Sequence, residues 1–342
     1  MKKIIAILLA ALLVAGFAFA EEEKELNIFT WATYFDENTL AQFEDETGIK
    51  VNYSVFASNE EMLLKMQAGT SDYDIILASD YAISTLRKDG KLLELDKAKL
   101  TNWENINPNY MNQYFDPENV YSVPYTVGVP VIVYDPNQVE GEITAFADLW
   151  NEQFRDGLWL LDDARVMLGA ALKMLGYSYN TTNPDEINEA REKMEALKDN
   201  IRVLDYDLTY NYLTTGEVKA AYLFTPYACL SLLENPDLKC VFPEEGIGFG
   251  IDSIVIPKDA QHPENAHAFI DFYLNAETAK FVAEWQAYIN PNAAADALID
   301  PGFAAMDCFA VPEDLLATKE YVEDLGADAS LFQDAWTAFK LS

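Results

Sequence analysis

Carboxylates and large aromatics gather where short apolar runs of this chain end. "LNIFTW" runs out into Trp31, Ala32, Thr33 and Tyr34, and "YDIILA" into Ser79, Asp80 and Tyr81. "LWLL" delivers Asp162 and Asp163, and "AAYL" delivers Phe224 and Tyr227. Asp252 follows "GIGFG", and "QAYINPN" contains Tyr288. Each residue taken singly has an ordinary explanation. Asp162 or Asp163, like Ser79 or Asp80, suits the N-cap of a following helix. Trp31, Tyr34 and Tyr288 suit a core, and Asp252 a loop. Taken together they suit a cation. A desolvated ammonium needs carboxylates to accept its N–H bonds. The methylenes beside it need apolar walls, and aromatic faces supply both wall and cation–π attraction, about 0.5–2 kcal/mol each. Anion sites use Arg, Lys or bare helix N-termini instead. Here the nearest base is Arg165, suited to orient an aspartate or to pack on its helix.

The elements that must position these residues alternate. "LNIFTWA", "IKVNYSVFA" and the continuously apolar "YDIILAS" read as strands. "ENTLAQFEDETG", "NEEMLLKMQAG" and "YAISTLRKDG" read as helices, the last two closed by Gly69 and Gly90. Repeated βαβ units predict an α/β fold with parallel strands buried on both faces. "VYSVPYTVGVPVIVYDP" reads as a strand leaving one lobe for another, and "LKCVFPEEGIGFGIDSIVIPKDA" as the return. Between them lie "GLWLLDD", "ARVMLGAALKMLG", a helix with Pro184 near its start, and "AAYLFTPYACLSLLEN". A helix pair broken at Asn-Ala-Glu-Thr and the terminal helix "LFQDAWTAFKLS" complete the chain. The expectation is an N-terminal lobe of residues 21–127 and 253–300 and a C-terminal lobe of residues 128–252 and 301–342. In such folds the ligand sits in the crevice beyond the carboxyl ends of the strands.

Composition narrows the function. A chain of 342 residues is long for one core. A formal net charge of -34 excludes nucleic acid as the expected partner and favours capture of cations. Residues 1–20 read as a secretory signal peptide, with Lys2 and Lys3, an apolar stretch from Ile4 to Phe17, and the small-residue site Ala18-Phe19-Ala20. No later segment is long and apolar enough to cross a membrane, so an exported, soluble mature chain is expected. Cys229, Cys240 and Cys308 allow one disulfide with a thiol left over. His262 and His267 flank an apparent surface helix, and no metal site or cofactor is expected. There is no GxSxG, P-loop or HExxH, so the chain does not read as an enzyme.

The stretches "FTWATYF", "FEDETGIKVNYSVFASNEEM", "YDIILASDYAISTLRKDGKL", "LDKAKLTNWENINP", "YSVPYTVGV", "LLDDAR", "LGYSYNTTNPDEI", "GIDSIVIP" and "PNAAA" keep a common order and spacing. In them the chain resembles the periplasmic spermidine/putrescine-binding proteins of bacterial polyamine ABC transporters, from about Leu26 to the terminal helix. The resemblance implies a two-lobe periplasmic-binding-protein fold (type II-like) with the ligand cleft between lobes joined by crossing strands. It implies a monomer that serves ABC permease subunits in the periplasm. It also implies a pocket made of Trp31, Tyr34, Ser79, Tyr81, Asp163, Asp252 and Tyr288.

Four positions depart from the family's pattern. Val166 stands where the spermidine-type pattern has Glu, Gly250 and Phe224 where it has Trp, and Ala32 where it has Thr. One carboxylate and two indoles are missing. A buried ammonium left unpaired costs several kcal/mol, so a full-length spermidine site would be penalised unless Asp80 or Asp162 compensates. The implied ligand is therefore putrescine and/or spermidine. The alternative is another small cation, such as a quaternary amine or a cationic amino acid, on the same scaffold.

Overall fold

The computed structural model describes residues 24–32, 34–69, 72–205 and 211–342. The expected signal peptide at 1–20 and Thr33 lie outside the described residues. Eleven strands occur among the described residues: β1 (Glu25–Trp31), β2 (Lys50–Phe56), β3 (Ile75–Ser79), β4 (Ser122–Gly128), β5 (Pro130–Tyr134), β6 (Leu158–Leu160), β7 (Ile201–Leu204), β8 (Ala220–Phe224), β9 (Lys239–Val241), β10 (Gly248–Val255) and β11 (Glu320–Tyr321). They form two sheets. The first runs β11-β10-β3-β1-β2, with β4 on β10; the second runs β7-β6-β8-β5-β9.

The βαβ expectation is met in both halves. β1 is parallel to β2 and β3, and β6 is parallel to β7 and β8. Helices Glu37–Thr47, Asn59–Gln67 and Asp80–Lys88 connect or follow the first three strands. Asp36 caps the first of these, its carboxylate accepting from Thr39 N at 3.0 Å, and Gly48 ends it at φ 70°, a left-handed conformation glycine reaches without a Cβ penalty. Leu40 and Phe43 of that helix, Met62 and Met66 of the next, and Ile83 and Leu86 of the third are buried. Each such side chain contributes roughly 1.5–3 kcal/mol of apolar burial.

The chain changes sheets at Val129, since β4 ends at Gly128 and β5 begins at Pro130. It returns between β9 and β10. β10 is antiparallel to both β3 and β4, which sets Asp252 opposite Ser79 and Thr126, and Gly250 opposite Gly128. The terminal helix Ala329–Leu341 packs on helices Ala164–Met174 and Pro184–Glu195. Val127 N donates to Ile289 O at 3.0 Å, which holds the Tyr288 segment against the first crossing.

Several local features were not legible. β7 and β11 are short, and three 3-10 turns lie between Lys97 and Tyr110. His267 is not at a helix surface: it is buried, and its Nε2 accepts from Asp96 N at 2.9 Å. His262 pairs with buried Asp74 at 3.0 Å. The three cysteines are buried and unpaired. Among the described residues, no group of His, Cys, Asp and Glu could hold a metal ion, and no helix is long and apolar enough to cross a membrane.

Candidate functional site

Asp252 is the centre of the arrangement. It is half-buried on β10 beside the end of β3. Tyr34 OH donates to Asp252 Oδ2, and the Ser79 hydroxyl donates to the same carboxylate. Ser79 sits at the N-cap position of helix Asp80–Lys88, yet its side chain makes no cap bond. The capping explanation therefore fails for Ser79. Burial raises the Asp252 carboxyl above the usual carboxylate range, and the Tyr34 and Ser79 hydrogen bonds oppose the rise. Burial, then the Asp252 charge, pushes the Tyr34 phenol well up, so it remains an O–H donor.

Tyr34 is held from its backbone. Its carbonyl accepts from Tyr125 OH and from Gln286 Nε2, each at 2.7 Å. The Trp31 and Tyr34 ring centroids are 6.5 Å apart, and those of Tyr34 and Tyr288 are 6.1 Å apart. Trp31 also packs edge-on to Phe56 at 4.5 Å, so it is half core and half site. Tyr288 and Phe224 cover the crossing strand: a Cβ added at Gly128 would meet Tyr288 Cε1 at 3.2 Å and Phe224 Cδ1 at 3.9 Å. A Cβ at Gly250 would meet only Gly128 O, at 3.8 Å. Trp31, Tyr34, Ser79, Phe224, Asp252 and Tyr288 are thus brought together where the chain passes between sheets.

The other expected residues lie farther out. Asp80 is 2% exposed; its Oδ1 accepts from Tyr81 N at 2.8 Å, it also accepts from Ile251 N–H on β10, and its Oδ2 has no hydrogen-bond partner. Burial raises Asp80 well above the usual range, and the Asp252 and Glu323 charges add to the rise. Tyr81 OH accepts from Asn59 Nδ2 and donates to Glu60 Oε1, both at 3.0 Å, which ties it to the neighbouring helix. Tyr227 lies half-buried in the first turn of helix Thr225–Glu234, and burial pushes its phenol up to about 12. Ala32 is exposed beyond the tip of β1.

In the second half of the chain the two adjacent aspartates divide. Asp163 caps helix Ala164–Met174 through Oδ1, which accepts from Arg165 N at 2.9 Å and Val166 N at 3.0 Å. Burial still raises its carboxyl. Asp162 is taken by the terminal helix, with Trp336 Nε1 at 2.6 Å and Lys340 Nζ at 3.0 Å. It therefore does not replace the carboxylate absent at Val166, because its charge is already paired. Val166 is buried. Arg165 orients neither aspartate through a side-chain bond: its guanidinium donates to Glu323 O at 3.1 Å and Asn180 Oδ1 at 2.8 Å and lies 4.7 Å from the Phe332 ring centroid. Tyr125, Gln286 and Gly128 were not singled out in the sequence. They touch the site through a backbone carbonyl or through missing bulk, neither of which leaves a compositional signal.

The geometry has relatives. The model of the family described as bacterial extracellular solute-binding protein matches residues 38–307. The spermidine/putrescine-binding periplasmic protein of Escherichia coli is 35% identical over 325 residues, covering 94% of this chain and 93% of its own. The putrescine/cadaverine-binding protein of Pseudomonas aeruginosa is 31% identical, covering 100% and 99%. Among solved structures, a spermidine/putrescine ABC transporter substrate-binding protein from Streptococcus pneumoniae superposes with a TM-score of 0.84 at 34% identity, covering 93% of this chain and 98% of that one.

Proposed function

For a chain that belongs to the bacterial extracellular solute-binding protein family, a family of binding proteins rather than enzymes, we propose capture of a polyamine, putrescine and/or spermidine, in an interlobe cleft. The observation that carries this reading is Asp252: a half-buried carboxylate whose hydrogen-bond partners are the neutral hydroxyls of Tyr34 and Ser79, with the Tyr288 ring 6.1 Å from that of Tyr34 and Phe224 beside Tyr288 over Gly128. Such a group gains most from a cation, since an ammonium supplies the missing charge and the rings its apolar wall.

The lobes of this reading are residues 21–127 with 253–300 and residues 128–252 with 301–342. Support comes from the change of sheet at Val129 and from the packing of the terminal helix on Ala164–Met174. A ligand touching Trp31, Tyr34 and Ser79 from the first of these and Phe224, Tyr227 and Asp163 from the second favours the closed form, because it contacts both lobes only there. Trp31, Ser79, Asp80 and Tyr81 complete the first wall, and Val166, Gly250 and Ala32 tune ligand length and shape. The closed monomer then docks on ABC permease subunits in the periplasm after removal of the leader.

Isothermal titration of refolded, ligand-stripped protein with putrescine, spermidine, spermine, choline and lysine tests this. Saturable binding of putrescine or spermidine is expected. A folded protein that binds choline or lysine but no polyamine would replace this ligand class with the other small cations.

A further inference from the structure

Three aspartates are almost fully buried among the described residues: Asp74, Asp80 and Asp116. Two are satisfied. Asp74 accepts from Asn27 N at 2.9 Å and from His262 N at 2.7 Å. Asp116 accepts from Tyr121 N, Ser122 N and the Ser122 hydroxyl, each at 2.8 Å. Asp80 is different. Its Oδ1 accepts from Tyr81 N, but its Oδ2 is the one buried carboxylate oxygen among the described residues without a partner. A bare oxygen of this kind costs free energy, and native structures seldom leave one without a ligand or a water to fill the place.

The sheet register brings two more bare groups beside it. Ser79 pairs with Asp252 on β10, so Asp80 falls next to Ile251, and Tyr321 on β11 pairs with Phe249, two residues away on the same strand. Helix Asp80–Lys88 packs across β10, and its Thr85 hydroxyl donates to Asp324 at 3.1 Å, just beyond β11. The Tyr321 ring lies 5.3 Å from the Tyr114 ring, and the hydroxyls of both are buried without a partner. Burial, then the Asp80 charge, pushes both phenols up, so each remains an O–H. The β11 segment is fixed in place, with Asn180 Nδ2 donating to Tyr321 O at 2.7 Å and Val322 N to Phe249 O at 3.2 Å.

Resting on the cation-binding reading above, we propose that Asp80 with the Tyr114 and Tyr321 hydroxyls is the subsite for the second ammonium of a short diamine whose first ammonium sits on Asp252. Asp80 Oδ2 supplies the opposite charge and one acceptor, and a phenol oxygen accepts as readily as its O–H donates. The two rings supply the apolar wall. Because Ser79 is paired with Asp252, the Asp80 and Asp252 Cα atoms lie within about 9 Å of each other. That span suits a chain of putrescine length better than a triamine. On the opposite helix Val166 is apolar, and Asp162 next to it is paired with Lys340, so the second charge is met from this side.

Titration of the ligand-stripped mature chain and its D80N, Y114F and Y321F variants with putrescine, and with butylamine by competition, tests this. Butylamine keeps the carbon chain but has a single ammonium. In D80N the affinity for putrescine, and its advantage over butylamine, are each expected to fall at least about tenfold. Each phenylalanine variant should reduce the same advantage by about threefold. A structural role for Asp80 would weaken both ligands alike and lower the Tm, and that result would overturn the proposal. So would D80N binding putrescine as the wild type does, which would leave only an internal water at Asp80. If D80N does not fold, the other two variants decide: unchanged putrescine affinity in both removes the subsite. A wild type that binds no diamine at all would overturn the cation-binding reading itself, and the subsite with it.

Discussion

Tyr34 and Asp252 stand 218 residues apart in sequence, and the Tyr34 hydroxyl donates to the Asp252 carboxylate. One comes from the tip of β1 and the other from the strand that returns from the second sheet. That bond joins the opening of the fold to its crossing.

Asp252→Asn keeps the shape and an acceptor for Tyr34 but removes the charge. Polyamine affinity is expected to fall at least tenfold, about 2 kcal/mol or more, by calorimetry. Unchanged affinity would take Asp252 out of the site.

Acid should weaken binding. Burial raises Asp80, Asp163 and Asp252 above their ordinary values. Their contribution to stability is therefore complete below the ordinary carboxylate pKa, about 3.9, and is lost as pH rises through the raised values. A bound ammonium prefers the ionised carboxylates, so binding near the raised values releases protons. The calorimetric enthalpy should then depend on the buffer's ionisation enthalpy above the ordinary carboxylate pKa of about 3.9. A buffer-independent enthalpy there would contradict the assignment.

Gly250→Trp and Gly128→Ala should part company. At Gly250 an added Cβ meets only a carbonyl at 3.8 Å, whereas at Gly128 it presses on Tyr288 at 3.2 Å. The first variant is expected to fold with little change in Tm and with altered ligand choice. The second should weaken binding by displacing the Tyr288 ring. Equal behaviour of the two would mean that Tyr288 does not wall the ligand.

Val166→Glu adds a carboxylate in the first turn of the helix that Asp163 caps, where the helix dipole favours negative charge by about 0.3–1 kcal/mol. Spermidine affinity should rise more than putrescine affinity. No change in their ratio would place the far end of the ligand elsewhere.

Lys340→Ala should act on stability alone. It frees Asp162 of its ion pair but leaves the Trp336 bond. An exposed pair of this kind is worth about 0–1 kcal/mol, so a small drop in Tm with unchanged polyamine affinity is expected. A changed affinity would bring Asp162 back into the site.

Local pattern carried much of this protein. Continuous apolar runs such as "YDIILAS" dictated buried parallel strands, the glycines after helical stretches dictated their ends, and the proline-broken run around Val129 marked the change of sheet. Residue types at strand tips pointed to a cation. What sequence left open was which member of each local set faces the ligand. Ser79 and Asp163 are both N-cap residues, yet one side chain turns to Asp252 and the other to its own helix. Asp162 and Asp163 are neighbours, yet the terminal helix claims only the first. Those choices depend on partners more than a hundred residues away. They follow from how the two sheets and the terminal helix pack, because a buried polar group takes whichever partner the tertiary structure brings within reach.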